Sequence, residues 1–371
     1  MKKYIYKFSV GTISCFLIIA AICILSTACT KEDTATKKTD NKSKSFSLAP
    51  YECNIIGEIN VAELSKLDSA KKQIESNKNT AFVKELDNAG MGWNNISRIY
   101  FAISPPSQIQ DNNNPPPPSA LILLKSNNKI DIEKLIPIVE RETKKKVTSE
   151  KIDKQTVYLI SLDNNELVCL SELTDNLVAI GTKSIITKTI DLFNGKGKSV
   201  VDNAQLMKLS DNAKCDNMFW ISGVVDKKLL KSFGIENPTI QVQGGLIYAD
   251  YLSDILTIGG NIKCATKQDA QNVLMPAQML TSILTSNPKS GIKAEDISLT
   301  ANNSELNIKI SLSKQVLESL AKQQMQNMSA NSPQLEVQTS PALKTITPTE
   351  SYTPVATAKQ PIKKDSNGLE K

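Results

Sequence analysis

From Phe8 to Thr30 the chain carries no charge, and Lys2, Lys3 and Lys7 stand in front of that stretch. A basic start, an apolar core and the small residues Ser26, Thr27 and Ala28 before Cys29 have the anatomy of an export signal. A segment spent on crossing a bilayer is lost to the folded core, so the remaining residues must fold beyond the cytoplasm. Two other readings share the pattern. At about 1.5 Å per residue, Phe8 to Ala28 as an uncleaved helix reaches across a hydrocarbon layer of about 30 Å. A plain secretory leader would release the protein altogether. In the anchored readings the front lysines keep the N-terminus cytoplasmic and the bulk of the chain outside.

The cysteine that ends this leader has a more specific meaning. Ser-Thr-Ala-Cys at 26–29 resembles the lipobox of bacterial lipoproteins, although Leu25 lies four residues before the cysteine and Ser26 holds the usual leucine place. The resemblance implies cleavage after residue 28 and acyl chains on Cys29, with each buried methylene contributing about 0.8 kcal/mol to the anchor. The expected membrane contact is therefore the lipid on Cys29.

Composition removes several functions. The formal charge of +6 falls to +3 without the leader lysines, only Arg98 and Arg141 among the 44 basic residues are arginine, and aromatics make up 5%. Forks for phosphate and platforms for bases are both scarce, so no nucleic-acid partner is expected. There is no histidine, which withdraws the commonest general base and metal ligand. No metal and no cofactor is expected. Beyond the leader and Cys29, Cys53, Cys169, Cys215 and Cys264 remain, without a Cys-x-x-Cys spacing. Zinc-knuckle and thioredoxin-like readings fail, and both free thiols and one or two bridges stay open.

Residues 29–50 after the signal (1–28) are polar and read as a flexible stalk. A first α+β unit is expected over 51–210. Strand 53–60 leads into a helix capped by Asn60 and Glu63, with Leu64, Leu67 and Ile74 on one face. Ile96–Ile103 and Ala120–Lys125 form antiparallel mates around SPPSQIQDNNNPPPPS, whose consecutive prolines offer no ladder donors. Asp131–Lys145 is a helix kinked or restarted at Pro137. Thr156–Leu162 and Glu166–Ser171 form a hairpin through Asn164 and Asn165, followed by strand Asn176–Gly181 and helix Ile185–Phe193.

A second unit over 211–328 repeats the order: strand 218–225, helix 227–233, strands 239–249 and 254–264, helix 266–285 interrupted at Pro276, hairpin 296–301 and 305–312, helix 314–328. The expected fold class is thus α+β, two related halves, each a mostly antiparallel sheet covered by helices in β-α-β-β-α-β-β-α order. LIPIV at 135–139 with NNEL at 164–167, against LMPAQ at 274–278 with NNSEL at 302–306, supports duplication. Residues 329–371 have the composition of a disordered tail.

One catalytic pattern is present. Ser126 to Lys129, Ser210 to Asn212 and Lys289 to Gly291 match in order the Ser-x-x-Lys, Ser-Asp-Asn and Lys-Ser/Thr-Gly elements, a resemblance to penicillin-recognising serine acyl-transferases. It implies Lys129 deprotonating Ser126. Ser-x-x-Lys recurs repeatedly in this lysine-rich chain, and Ser126 closes a strand where the family opens a helix. Phosphate-loop and calcium-loop signatures are incomplete. Trp220 in an apolar strand is expected in the core and Trp93 in GMGWNN at the surface. Residues 50–328 as a whole resemble uncharacterised bacterial envelope lipoproteins built from duplicated strand and helix units, which implies a fold and no catalytic residue. The expectation is a lipid-anchored, non-catalytic module for an envelope protein, peptide or polymer, with a serine acyl-transferase or hydrolase using Ser126 and Lys129 as the alternative.

Overall fold

The computed structural model describes residues 45–67, 80–105, 118–162, 167–214, 216–226, 240–286 and 291–320, all within one compact unit, Met1–Met328. The leader with Cys29, the proline block, the turn at Asn164 and Asn165, Cys215, helix 227–233, Lys289 and the tail from 329 lie outside the described residues.

Strand β1 (Ile55–Asn60) sits near the middle of a twelve-stranded sheet. The other strands are β2 (Ile96–Ser104), β3 (Ser119–Ser126), β4 (Thr148–Ile152), β5 (Gln155–Ser161), β6 (Leu167–Thr174), β7 (Leu177–Thr182), β8 (Phe219–Val224), β9 (Val242–Leu252), β10 (Ile255–Cys264), β11 (Ile297–Asn302) and β12 (Glu305–Ser313). Their order is β11-β12-β10-β9-β8-β1-β2-β3-β7-β6-β5-β4. Every neighbouring pair is antiparallel. The fold is α+β with one large antiparallel sheet, and the junction between residues read as first and second halves is the β1/β8 ladder, Ile55↔Gly223 to Ile59↔Phe219.

Local chemistry places the helices. Asn60 accepts from the Glu63 N–H and opens α1 (Val61–Leu64), and Thr80 does the same for α2 (Ala81–Asn88) through Val83. Asp131 caps α3 (Ile132–Thr143), which runs on through Pro137 without restarting and ends at Lys144 in the left-handed region, φ 57°. Helix α4 (Lys183–Phe193) follows β7 directly, and a helix begins again over 314–320. Two elements were not legible in the sequence. Edge strand β4 is mostly polar and forms because the chain reverses at Asp153, φ 52°, onto β5. Helix α5 (Ala204–Ser210) is only seven residues long, too short for a visible period, and is set by its Asn203 cap.

Because side chains alternate across a sheet, the two faces carry separate cores. On one, Tyr100, Leu121, Leu123, Cys169 and Ala179 pack under Ile185, Ile186 and Ile190 of α4 and Leu206 of α5. On the other, Leu170 and Val178 pack under Ile132, Leu135 and Ile138 of α3. Each such buried aliphatic contributes about 1.5–3 kcal/mol. The expected stalk ends earlier than residue 50. Phe46 is 1% exposed and packs on Tyr100 and Trp220, with ring centroids 5.5 and 5.4 Å apart, and Pro50 bridges to Ser199. An aromatic with two ring partners gains more from burial than its short segment loses in entropy. Trp93 is half-buried against Val61, Ile99 and Leu124 and is not a surface platform.

Candidate functional site

The serine motif is taken apart by the fold. Ser126 ends β3, 2% exposed, and its Oγ lies 3.1 Å from the Asn95 carbonyl and 3.3 Å from that of Gly90, while accepting from the Asn128 N–H at 3.1 Å. The neighbouring backbone is stitched to the same loop by Asn127 N–H to Asn95 O and Asp131 N–H to Ala89 O. Gly90 has φ +77°, and a Cβ there would meet the Lys129 carbonyl at 2.2 Å, so only glycine permits this close approach. The hydroxyl is thus a buried tie between two loops. Lys129 points away from it into solvent, 3.6 Å from Asp175 with both side chains more than two-thirds exposed. Ser210 donates to the Met207 carbonyl at 2.8 Å within α5. The described contacts of Ser126 are all to backbone groups, and Lys129 is not among them.

A polar cluster that the sequence reading missed lies at the sheet's centre. Glu58 of β1 is 2% exposed. Its Oε1 pairs with Arg98 of β2, and its Oε2 accepts from the Trp220 Nε1–H of β8 at 3.1 Å. The carboxylate therefore ties three adjacent strands together on the face covered by Phe46. A signal existed: Arg98 is one of two arginines in the chain, and Glu58 interrupts the apolar run CNIIGEIN. Guanidinium is the cation best suited to such a buried pair.

The described cysteines are free thiols, which resolves part of the open cysteine question. Burial, reinforced by the Glu52 charge and opposed by Lys188, pushes the Cys53 thiol up to about 12; burial with Glu150 pushes Cys169 up to about 11. Thiols so raised are poor nucleophiles. Among the described residues no group of three or more cysteine, aspartate or glutamate side chains could hold a metal ion.

The surface with the clearest unfilled requirement is α6 (Lys267–Ser286), a 20-residue helix that runs through Pro276 without the expected interruption and in which only Ala270 is buried. Met275, Met279, Leu280, Ile283 and Leu284 are between 46% and 68% exposed, whereas Ala277, Thr281 and Thr285 lie on the more covered side. Val273 and Leu274 are half-buried in the usual way, but from Met275 onward the order is reversed, with the larger apolar side chains turned away from the core. No charge occurs from Ala270 to Ser286. The hydroxyls of Thr281, Ser282, Thr285 and Ser286 each donate to a carbonyl of the same helix, at 3.0 Å, so they need no water. The helix is chemically prepared for a dry surrounding that the rest of the described chain does not supply.

No family model matches the chain, and no curated protein matches it in sequence. Its structure is similar to crystal structures of TP0453. Crystal form III matches with a TM-score of 0.45 and 9% identity over 75% of this chain and 97% of that one. Crystal form I gives 0.43 and 10% over 75% and 96%, and crystal form IV gives 0.43 and 10% over 76% and 100%.

Proposed function

We propose that the protein is a lipoprotein of the bacterial envelope, held to a membrane by acyl chains on Cys29 and facing away from the cytoplasm, whose folded part is a non-catalytic binding or structural module for a protein, peptide or polymer. The observation that carries the binding reading is the outward apolar side of α6, a contiguous exposed patch of the kind that marks interaction sites. The leader supplies the address, since its basic start, charge-free core and small residues before Cys29 are those of a cleaved lipoprotein signal. The use of Ser126 as an internal tie favours this over the acyl-transferase.

The same reading takes the two halves as copies of one unit. Counting outward from the β1/β8 ladder, β1-β2-β3-β7-β6 on one side matches β8-β9-β10-β12-β11 on the other, with β4 and β5 inserted in the first half. Incorporation of radiolabelled palmitate by cells expressing the chain tests the anchor. Label on the wild type that disappears in Cys29→Ala is expected, and an unlabelled wild type would overturn the anchoring.

A further inference from the structure

Two helices occupy the same place in the chain order, each between the third strand of its half and the hairpin strands that follow, yet they are patterned in opposite ways. Helix α3 buries Ile132, Leu135 and Ile138 and presents Glu133, Lys134, Arg141 and Glu142 outward; Arg141 holds both carboxylate oxygens of Glu85 at 3.0 and 2.6 Å. Helix α6 turns Met275, Met279, Leu280, Ile283 and Leu284 outward and carries no charge after Asp269.

The sheet edges differ in the same sense. At one end β4 is guarded by Glu150 and Lys151, with Lys183 2.8 Å from Glu150. At the other end β11 reads Ile-Ser-Leu-Thr-Ala-Asn, with no charge and no proline to blunt its unpaired backbone. Helix α6 lies along β11. An edge left open among the described strands and the helix packed on it are thus neighbours.

We infer that this side, β11 together with the outward face of α6, is the interface with a second copy of the chain. The inference rests on the reading of α6 as an interaction surface and names its partner. Antiparallel pairing of β11 with its twofold mate about Thr300 is self-complementary: Leu299 meets Ala301 on one face, while Thr300 meets Thr300 and Ser298 meets Asn302 on the other. The absence of charge removes like-charge repulsion across the axis. The five exposed side chains supply on the order of 500 Å² of apolar surface per copy, and the paired edge brings this close to the ~800 Å² per partner of a specific complex. A bilayer would cover the outward face of α6 to a depth of about 5–10 Å but would give the β11 amides and carbonyls no partner. A partner strand satisfies both.

The test uses the full chain in phosphatidylcholine vesicles with Thr300→Cys, an exposed position in mid-strand whose twofold mate would bring β-carbons to about 4.5–5.5 Å, within reach of a disulfide. Copper-phenanthroline oxidation is expected to give a covalent dimer at least about tenfold above the wild-type baseline, and adding Ile283→Glu should return it to baseline. Yield should be unchanged between about 0.15 M and about 1 M salt, because no charge pair is there to screen. Baseline yield in Thr300→Cys overturns the interface, as does a yield that Ile283→Glu leaves untouched. A dye on Met279→Cys quenched by a lipid-borne quencher, without cross-linking, would assign the surface to lipid and also overturn it. Failure of palmitate labelling would remove the anchor and leave this cross-link as it stands.

Discussion

The indole N–H of Trp220 donates to Glu58 Oε2 at 3.1 Å, and both side chains are almost completely buried, at 1% and 2% exposed. This bond crosses the ladder between β8 and β1, the seam that joins the two halves of the sheet, while Arg98 takes the other carboxylate oxygen from β2. The seam is therefore held by a charge as well as by apolar burial.

Removing that charge should cost more than removing one of its donors. Glu58→Ala takes away the group that both Arg98 and Trp220 address and should destabilise the fold by about 3–5 kcal/mol, as breaking a buried pair does. Trp220→Phe keeps most of the ring volume, loses one hydrogen bond and should cost about 1–3 kcal/mol. Urea unfolding followed by circular dichroism checks both; equal small losses would show that the carboxylate does not hold the seam.

Ser126→Ala deletes a buried tie, with an expected loss of about 1–2 kcal/mol of stability. A fluorescent penicillin should leave both wild type and variant unlabelled. Covalent label on the wild type that vanishes in Ser126→Ala would reinstate the acyl-transferase reading.

The buried thiols make stability fall at alkaline pH. In the unfolded chain they ionise near 9.0, whereas in the fold Cys53 holds its proton to about 12 and Cys169 to about 11. The native state then binds more protons than the unfolded one, so stability present below pH 9 is lost progressively from 9 toward 11 and 12. Unfolding midpoints measured between pH 8 and 11 should decline, and the Cys53→Ser and Cys169→Ser variants should flatten that decline. At pH 8 the peptides containing Cys53 and Cys169 should resist iodoacetamide until denaturant is added.

Gly57 marks a point of close approach in the central sheet. A Cβ there would meet Phe101 Cζ at 2.2 Å and the Trp220 carbonyl at 2.6 Å, under a pair of rings, Phe101 and Phe219, stacked 6.4 Å apart. Phenylalanine can swing, but the carbonyl belongs to the β8 backbone. Gly57→Ala should cost about 1–3 kcal/mol by overpacking, read as a lowered unfolding midpoint; an unchanged midpoint would mean the strands separate freely.

Short-range chemistry was readable from the residues alone. The apolar run of β3, the alternation of the β11/β12 hairpin, the Asn60 cap and the spacing of Ile132 and Leu135 are set by neighbours within a few positions, and those signals survive in a linear string. The Ser-x-x-Lys element was equally visible there, but a motif records order and not direction, and only the packing of loop 89–95 against Ser126 turned the hydroxyl inward while Lys129 went to solvent. The Glu58, Arg98 and Trp220 cluster draws on residues up to 162 positions apart, so strand order alone creates it. The reversed orientation of α6 was hidden for a related reason: its apolar residues have the period of an ordinary core helix, and periodicity names a face without saying which side the protein lies on. The sequence determined most of the elements through short-range signals; the tertiary structure decided which polar groups are spent inside the fold and which apolar side chains stay exposed, because both depend on contacts between segments far apart in the chain.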